Sequence, residues 1–440
     1  MKWIIDMLTR KTMLRTVAMT LAVILLATTI TPSLEKVFAE GEDQLARIYA
    51  MLSNTLENPE TSEDYYELAN IAIGRQEYET ALEHLEKARE LADPKNKVAV
   101  AEMWLKTGSV QALLEDFESA MTSLNTALEN DPTSAQTLLL RSQLHLSQGN
   151  LVPSACDMEL YMKLVPNDVN TGATLAQLYE QMMKYDEAKA QYEAMAQLQP
   201  DNPAYRLNAL RCTFLNGEYD AALEGFDDFM AQKKEENAEY RAVAAFLRAA
   251  CLMQMERYPE AVEGFESAIE EGYAEATCRE QMLLCHFEND DFAAVIECGS
   301  DMIEKELQPA AADVFYQRMG AARMQLQQYE EALQELDKAM ELNPELLGTS
   351  YYRGVTLLAL ERMEEAIEAF TQSIEQGFLP QFCYYNRGVC NIRLLEYDKA
   401  LEDFGMTLTS GEDESLIQAA KDTLWQLAQY YENQSTATAK

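Results

Sequence analysis

Alanine recurs along this chain at a nearly constant interval, and that interval limits the folds open to the chain. At ten places an alanine, replaced once by serine and once by valine, follows a large apolar residue by three positions. Six of the nine intervals are 34 residues, and the others are 37 or 39. The ten positions are Ala81, Ala120, Ser154, Ala188, Ala222, Ala261, Val295, Ala332, Ala366 and Ala400. A unit of this length cannot bury its own apolar face, so the pattern predicts stacked repeats.

The unit from residue 313 to residue 344 shows what each repeat contains. Tyr329 and Ala332 open a helix whose apolar face continues at helical spacing, and Asn343-Pro344 ends it. Gly320, twelve residues before Ala332, lies in a preceding helix where the two helices approach closely. The unit is therefore predicted to be helix-turn-helix. A generic helical bundle is the alternative, but it has no reason to repeat an interval of 34 six times.

These positions resemble the tetratricopeptide repeat, a helix-turn-helix unit of 34 residues with fixed small, aromatic and proline positions. The resemblance covers residues 62–411 and implies an all-α fold, an α-solenoid that winds as a right-handed superhelix. It predicts five repeats in residues 62–236 and five in residues 237–411. Capping helices are expected at residues 40–61 and 412–432, and a disordered tail at residues 433–440. Repeats six, nine and ten are expected to end in a left-handed glycine, namely Gly272, Gly377 and Gly411.

Residues 1–39 have the order of a signal peptide. Basic residues precede the uncharged run 17–30, and Val37-Phe38-Ala39 provides a cleavage pattern before Glu40. The run is shorter than the roughly 20 apolar residues of a spanning helix. We therefore expect an exported protein, extracellular or associated with the cell envelope, and the long basic start resembles Gram-positive bacterial signals. The alternative is an uncleaved signal anchor, in which case these residues would be the chain's membrane contact.

The net charge of −39 restricts the possible partners. A strongly acidic chain is repelled by nucleic acid and by anionic lipid surfaces, so neither is expected as a partner. The acidic residues have two interpretations: they keep a long surface soluble, or they favour ligands with basic flanks.

No catalytic or metal-binding pattern is present in the sequence. The three histidines lie in no metal-ligand or triad spacing, and there is no phosphate loop or nucleophile elbow. We therefore predict no catalytic residue, no metal, no cofactor and no enzymatic activity.

The eight cysteines are predicted to be buried thiols. Cys278 and Cys285, like Cys383 and Cys390, are seven residues apart on one helix. That spacing is about 10.5 Å along a helix, beyond the roughly 7 Å limit for a disulfide. A pair between repeats, such as Cys251 with Cys285, stays open.

The resemblance also implies a function. In this family the first helices of the repeats line a concave groove that binds peptides. Matching this chain to the family positions gives the predicted groove residues Tyr351, Val355, Leu358, Phe382, Tyr385, Val389, Phe246 and Arg211. In the alternative interpretation, these side chains pack inside the solenoid or under the terminal helix.

We therefore predict a non-enzymatic scaffold that binds a protein or peptide ligand in this groove. The alternative function is a membrane-tethered assembly or regulatory factor for cell-envelope enzymes. The two functions differ in whether residues 1–39 are removed.

Overall fold

A computed structural model of the chain describes residues 49–50, 56, 58–232, 238–411 and 413–438. These residues form helices and no strand. They divide into two compact units, and the boundary in the chain lies between Asn216 and Gly217. The predicted signal peptide, most of the N-terminal capping helix and residues 233–237 of the charged stretch after repeat five lie outside the described residues. The fold is an all-α solenoid of helix-turn-helix repeats, as predicted.

Unit 1 contains nine of the described helices, which pack in sequence, each against the next. They are α1 Ser62–Gly74, α2 Tyr78–Leu91, α3 Lys97–Leu113, α4 Phe117–Asn130, α5 Ala135–Ser147, α6 Leu151–Leu164, α7 Val169–Gln181, α8 Tyr185–Leu198 and α9 Pro203–Leu215.

Unit 2 contains the remaining described helices, again packed in sequence. They are α10 Tyr219–Met230, α11 Ala238–Gln254, α12 Tyr258–Glu270, α13 Glu275–Glu288, α14 Phe292–Glu304, α15 Ala312–Gln325, α16 Tyr329–Leu342, α17 Thr349–Ala359, α18 Met363–Glu375, α19 Pro380–Arg393, α20 Tyr397–Thr409 and α21 Glu414–Thr438. A short 3-10 turn, Pro309–Ala311, precedes α15. None of the helices in the described ranges is both long and apolar enough to cross a membrane.

The recurring small residues lie at the centre of each repeat. All ten have 0% of their surface exposed, from Ala81 in α2 to Ala400 in α20. The residue three positions earlier is the first residue of the second helix in every repeat. At Gly320 an added Cβ would lie 2.6 Å from the Leu336 side chain, so the close approach of the two helices requires glycine there. The predicted register is therefore confirmed.

The turn inside each repeat carries a feature that the sequence did not indicate. Two residues before every second helix, the backbone adopts a left-handed conformation. Glycine occupies this position only at Gly149 and Gly217; the other residues are Gln76, Glu115, Met183, Glu256, Asp290, Gln327, Glu361 and Leu395. The following amide closes the first helix: that of Lys184, for example, donates to the Tyr179 carbonyl at 2.8 Å. This is the Schellman motif, which satisfies carbonyl groups at a helix end.

Two of the three predicted glycine caps are confirmed. Gly272 and Gly377 have φ of 97° and 73°. The prediction for Gly411 is wrong, because its φ lies outside the left-handed region. Glycine is required there for space: a Cβ would lie 2.0 Å from Oε1 of Gln381. That same side chain donates to the Thr407 carbonyl and accepts from the Asp413 amide, which holds the link to α21.

Arginines on first helices connect successive second helices. Arg387 pairs with Asp403 of α20 at 2.6 Å and donates to the Thr371 hydroxyl of α18 at 2.9 Å. In unit 1, Arg141 does the same with Asp157 and Asn125. Asp157 and Asp403 are each only 3% exposed, so each depends on its arginine for charge compensation.

All eight cysteines are free thiols. Seven are buried, as predicted, and burial raises the pKa of the Cys285 and Cys390 thiols to about 11. The prediction is wrong for Cys156, which is exposed on α6 between the buried Ala155 and Asp157. Adjacent side chains on an α-helix point about 100° apart, because one turn contains 3.6 residues. Cys156 can therefore face solvent although both of its neighbours are buried.

The terminal helix α21 packs against α19 and α20. Its Ala420 is fully buried and joins a cluster with Ala400 and Phe404, and Leu424 packs against the same cluster. The helix continues to Thr438 because the sequence after Glu432 contains no proline or glycine to stop it. It therefore extends into the segment for which the sequence predicts a disordered tail.

Candidate ligand-binding site

A cavity of about 250 Å³ opens on the first-helix face of repeats seven, eight and nine in unit 2. The helices concerned are α13, α15 and α17, and α15 packs directly against α17. We call this space the α15 cavity. Its walls are Leu284, Phe287, Glu288, Gln317, Arg318, Ala321, Leu347, Tyr352 and Phe378.

Helical spacing places these side chains together. On α13, Leu284, Phe287 and Glu288 are three and four residues apart and therefore share one face. On α15, Gln317 and Ala321 are four apart in the same way, and the small side chain of Ala321 leaves room in the middle.

The rim of the α15 cavity is held by specific contacts. The Gln317 amide donates to the Leu347 carbonyl at 2.9 Å and to the Thr349 hydroxyl at 2.7 Å. Gly348 has φ of 90°, and an added Cβ there would lie 3.0 Å from the Phe378 ring. Glycine at 348 thus lets the loop turn and lets Phe378 pack against it.

Arg318 supplies the positive charge in the wall of the cavity, which also contains Glu288. Its side chain is half-buried, and it forms no hydrogen bond or ion pair with any residue that the structure describes. Burial lowers the pKa of the Arg318 guanidinium, while Glu280 and Glu288 act in the opposite direction without pairing with it. Burial also raises the pKa of the Tyr352 hydroxyl, and the nearby charge of Arg318 opposes that shift.

The predicted residue Tyr351 stands behind the aromatic wall of the cavity. Its ring centroid lies 5.6 Å from that of Tyr352 and 5.9 Å from that of Phe378, which both line the space. It also lies 6.4 Å from Phe370 of α18. Tyr351 therefore supports the wall and does not line the cavity.

The structure places the other predicted groove residues outside the cavity. Val355 and Leu358 pack against the core of repeat nine, and Phe382 is half-buried on α19. Tyr385 and Val389 pack, with Ile392, against the cluster to which α21 contributes.

Two predicted residues are engaged in contacts of their own. Phe246 of α11 stacks on Tyr273 with a centroid distance of 4.4 Å. Arg211 belongs to unit 1 and pairs with Glu180 at 2.8 Å.

The sequence contained a signal for part of this cavity. The family positions that give the predicted groove residues also select Gln317 and Ala321 in repeat eight, and in repeat seven they select Leu284 and Phe287. Arg318 and Tyr352 lie one position further along, and nothing in the sequence says that Arg318 is unpaired. That property depends on distances between helices.

A smaller cavity of about 220 Å³ lies beside the first and shares Leu284 and Glu288 with it. Its remaining walls are Met253, Gln254, Glu256, Tyr258 and Cys285. Among the described residues, no group of three or more His, Cys, Asp and Glu side chains could hold a metal ion. The walls of the α15 cavity offer apolar contact together with the charged side chains of Arg318 and Glu288.

Comparison with known proteins identifies the repeats. One family model of the tetratricopeptide repeat matches residues 66–135 and 174–233, and a second matches residues 314–346. The helix pairs and the buried register residues extend the same unit over the rest of the described chain. The chain therefore contains tetratricopeptide repeats.

Solved structures with the same repeat are similar at a low level. MamA protein is 20% identical, with a TM-score of 0.33, and the match covers 42% of this chain and 97% of that one. A tetratricopeptide repeat protein from Parabacteroides merdae is 16% identical, with a TM-score of 0.32, over 67% of this chain and 98% of that one. YrrB, described as having an unusual peptide-binding site, is 20% identical, with a TM-score of 0.34, over 42% and 94%. No curated protein matches the chain.

Proposed function

We propose that this protein is a non-enzymatic scaffold whose ligand is a protein or peptide bound on the first-helix face of repeats seven to nine. A tetratricopeptide fold is typically an interaction scaffold. The observation that supports this particular face is the α15 cavity, because it combines Phe287, Tyr352 and Phe378 with a rim already fixed by hydrogen bonds.

The size of the α15 cavity limits which part of a ligand it can hold. Pockets for whole small ligands measure roughly 300–1,000 Å³, and this one measures about 250 Å³. It therefore accommodates one large side chain of a ligand rather than an entire molecule. Aromatic walls of this kind form the anchor points of interfaces, where a few residues carry most of the binding energy.

One of the predicted groove residues, Tyr351, supports the aromatic walls of the α15 cavity. Tyr351 acts by holding Tyr352 and Phe378 in position. Basic flanks on the ligand remain part of the proposal, since the charge of −39 speeds the approach of cationic groups at low salt.

The experiment uses capture of partners from a lysate or culture fluid of the source organism by residues 40–440. Phe287→Ala and Tyr352→Ala remove the walls of the α15 cavity and are expected to weaken recovery of the specific partner at least tenfold. Phe382→Ala is the matched control, because it removes a half-buried aromatic side chain from α19 outside the cavity. If only Phe382→Ala reduces recovery, the ligand binds at repeat ten and the proposed face is wrong.

We also propose that the scaffold is exported and begins at Glu40 in its mature form. The support is the charge and hydropathy order of residues 1–39. Mass spectrometry of the native protein tests it. An intact N-terminus in the membrane fraction would favour the tethered factor instead.

A further inference from the structure

One second helix of unit 1 exposes apolar residues where the other repeats expose charged ones. Val152, Cys156 and Leu160 lie four residues apart on α6, and all three are exposed, Val152 to 62% and Leu160 to 45%. We call these three residues the α6 stripe. Each of the nine other repeats has at least one acidic residue at the matching positions, counted from its register residue. The exposed apolar stripe is therefore specific to repeat three.

The α6 stripe has little free charge around it. Both carboxylates of α6 are engaged, because Asp157 pairs with Arg141 at 2.6 Å and Glu159 accepts a hydrogen bond from the Tyr179 hydroxyl at 2.7 Å. The third charged residue of the helix, Lys163, is exposed near its C-terminal end. The net charge of α6 is thus −1, whereas each of the other nine second helices carries between −2 and −4.

The second helices on either side of α6 continue the uncharged surface. The residues that match Cys156 and Leu160 are Thr122 and Thr126 on α4, and Ala190 and Ala194 on α8. Contacts through the first helices keep α4, α6 and α8 side by side. Arg141 of α5 bonds to both α4 and α6, and a Cβ added at Gly172 of α7 would meet Met162 of α6 and Met195 of α8. The α6 stripe is therefore the bulkiest part of an uncharged patch that spans three helices.

We propose that a second copy of this chain binds the α6 stripe, with the two α6 helices packed antiparallel across a two-fold axis near Cys156. The stripe is self-complementary, because Val152 and Leu160 lie four residues on either side of Cys156. A two-fold axis there brings Val152 of each copy against Leu160 of the other, as an interface between identical surfaces requires. The stripe belongs to unit 1 and the α15 cavity to unit 2, so this inference does not depend on the proposed function.

The charge distribution favours a second copy over a basic partner. A basic partner would find more negative charge on any other second helix. Two copies of charge −39 repel each other wherever acidic helices meet, and this repulsion is smallest at the uncharged patch. Antiparallel packing also brings Lys163 of each copy toward the N-terminal ends of second helices in the other, where Glu118 and Asp186 are exposed. Opposite charges therefore meet at both ends of the stripe.

The size of the patch predicts a weak dimer. Leu164, which is also exposed, extends the stripe by one turn, and α6 is about 18 Å long from Val152 to Leu164. Three helices at a spacing of roughly 10 Å give a patch of roughly 500 Å² on each copy. The dimer would bury about 1,000 Å² in total, which is the lower limit for a specific interface. We therefore expect a reversible dimer with a micromolar Kd, and a monomer with Cys156 exposed in more dilute solution.

Sedimentation equilibrium of residues 40–440, which include every described residue, tests the proposal. Under reducing conditions we expect a monomer at about 0.1 μM and a dimer at about 100 μM. Association should tighten when the salt concentration is raised to about 0.5 M, because salt screens the repulsion between two acidic chains.

Charged substitutions locate the interface. Val152→Glu and Leu160→Asp each introduce a residue type that other repeats carry at the same position, so the fold should tolerate them. Each places a carboxylate in the apolar contact and should weaken dimerisation at least tenfold. Met406→Asp is the matched control, because Met406 has the register position of Leu160 in repeat ten and is 43% exposed. If circular dichroism shows that an acidic variant does not fold, Leu160→Gln takes its place, with the residue type of repeat nine.

Cross-linking at Cys156 tests the orientation of the two copies. Cys156 is the exposed cysteine among eight, and in the proposed dimer it lies beside the same residue of the second copy. A short bismaleimide should therefore join two parent chains through Cys156 and should join far fewer Leu160→Asp chains. Cys156→Ser should abolish this link and leave the dimer observed by sedimentation.

Several outcomes would overturn the proposal. A monomer at every concentration rules out the second copy, and loss of a captured partner in Leu160→Asp would then assign the stripe to a different protein. A dimer that Val152→Glu and Leu160→Asp leave unchanged, or that Met406→Asp weakens equally, has its interface elsewhere. A dimer that depends on the stripe but gives no link at Cys156 is not antiparallel about that residue. The variants of the α15 cavity are separate from these, so either proposal can fail without the other.

Discussion

The first-helix face of repeats seven to nine and that of repeat ten have the same repeat register but opposite surroundings. In repeat ten, Tyr385 and Val389 pack against a cluster to which α21 contributes, and Arg387 is paired with the buried Asp403. In repeats seven to nine, the corresponding helices line an open cavity, and Arg318 pairs with no described residue. The register thus determines which face a side chain lies on. Whether that face is available depends on which helix follows.

The largest difference is expected between the two arginines. Arg387→Ala leaves the carboxylate of Asp403 buried without its partner, which should cost roughly 3–5 kcal/mol of unfolding free energy. Arg318→Ala should change it by less than about 0.5 kcal/mol. Urea unfolding followed by circular dichroism measures both. Arg387→Ala with Asp403→Ala should recover part of the loss, and equal effects of the two single variants would show that Arg318 has a structural partner after all.

The next difference concerns the tyrosines. Tyr385 lies 5.7 Å from Phe404 in the cluster that α21 completes, so Tyr385→Ala is expected to destabilise the chain by about 2–3 kcal/mol. Tyr352 borders the open α15 cavity, so Tyr352→Ala should cost only about 1 kcal/mol while weakening ligand binding. Thermal unfolding measures the loss of stability in each variant, and the capture assay measures the loss of ligand binding. A stable Tyr385→Ala variant that no longer binds the ligand would show that the binding site lies in repeat ten.

A smaller effect should have the same sign in both regions. Leu395 and Asp290 occupy the left-handed position of their turns with exposed side chains. Replacement of either by glycine relieves strain of about 1–2 kcal/mol but adds chain entropy, so a net gain of about 0.5–1 kcal/mol is expected. Gly149→Ala is the converse control, because an added Cβ there meets nothing within 4 Å and only the backbone angle matters. Leu395→Gly should gain more than Asp290→Gly, because aspartate tolerates the left-handed conformation better than leucine does. The reverse order would mean that the turns, too, differ between the two regions.

The smallest difference is expected in thiol chemistry, where the two regions should behave alike. Cys390 near the covered face and Cys285 near the cavities are both fully buried, with the pKa of each thiol raised to about 11. At pH 8 only the exposed Cys156 should react quickly with a thiol reagent, and Cys285 and Cys390 should react only as the pH approaches 11 or the chain unfolds. Mass spectrometry of the labelled protein counts the thiols that have reacted. Fast labelling of Cys285 alone would show that the cavity region opens.

The sequence predicted the packing of the chain well because packing follows local patterns. The ten register residues, the first residue of each second helix and the close approach at Gly320 all appear as residue type at fixed spacing. The left-handed turns were not predicted, because residues such as Gln76 and Glu115 carry no conformational signal of the kind that glycine gives. Gly411 was misinterpreted because its neighbour in space, Gln381, is 30 residues distant in the chain.

The candidate site was predictable only in part. The register selects Gln317 and Ala321 of the α15 cavity. Of the aromatic residues that the sequence favoured, Tyr351 lies behind the cavity wall and Tyr385 packs in the cluster with α21. The absence of a described partner for Arg318 results from distances among three helices. A spacing rule within one helix cannot provide these distances.

The left-handed turns have a consequence for the behaviour of the protein in concentrated solution. Eight of the ten turns keep a side chain where glycine would be least strained, every one of the eight is exposed, and four are Glu115, Glu256, Asp290 and Glu361. Each turn accepts about 1 kcal/mol of strain, so no single turn governs stability. The acidic tips repel those of another molecule, and this repulsion grows with the number of repeats. Each added repeat with an acidic turn therefore adds exposed negative charge to the surface of the array.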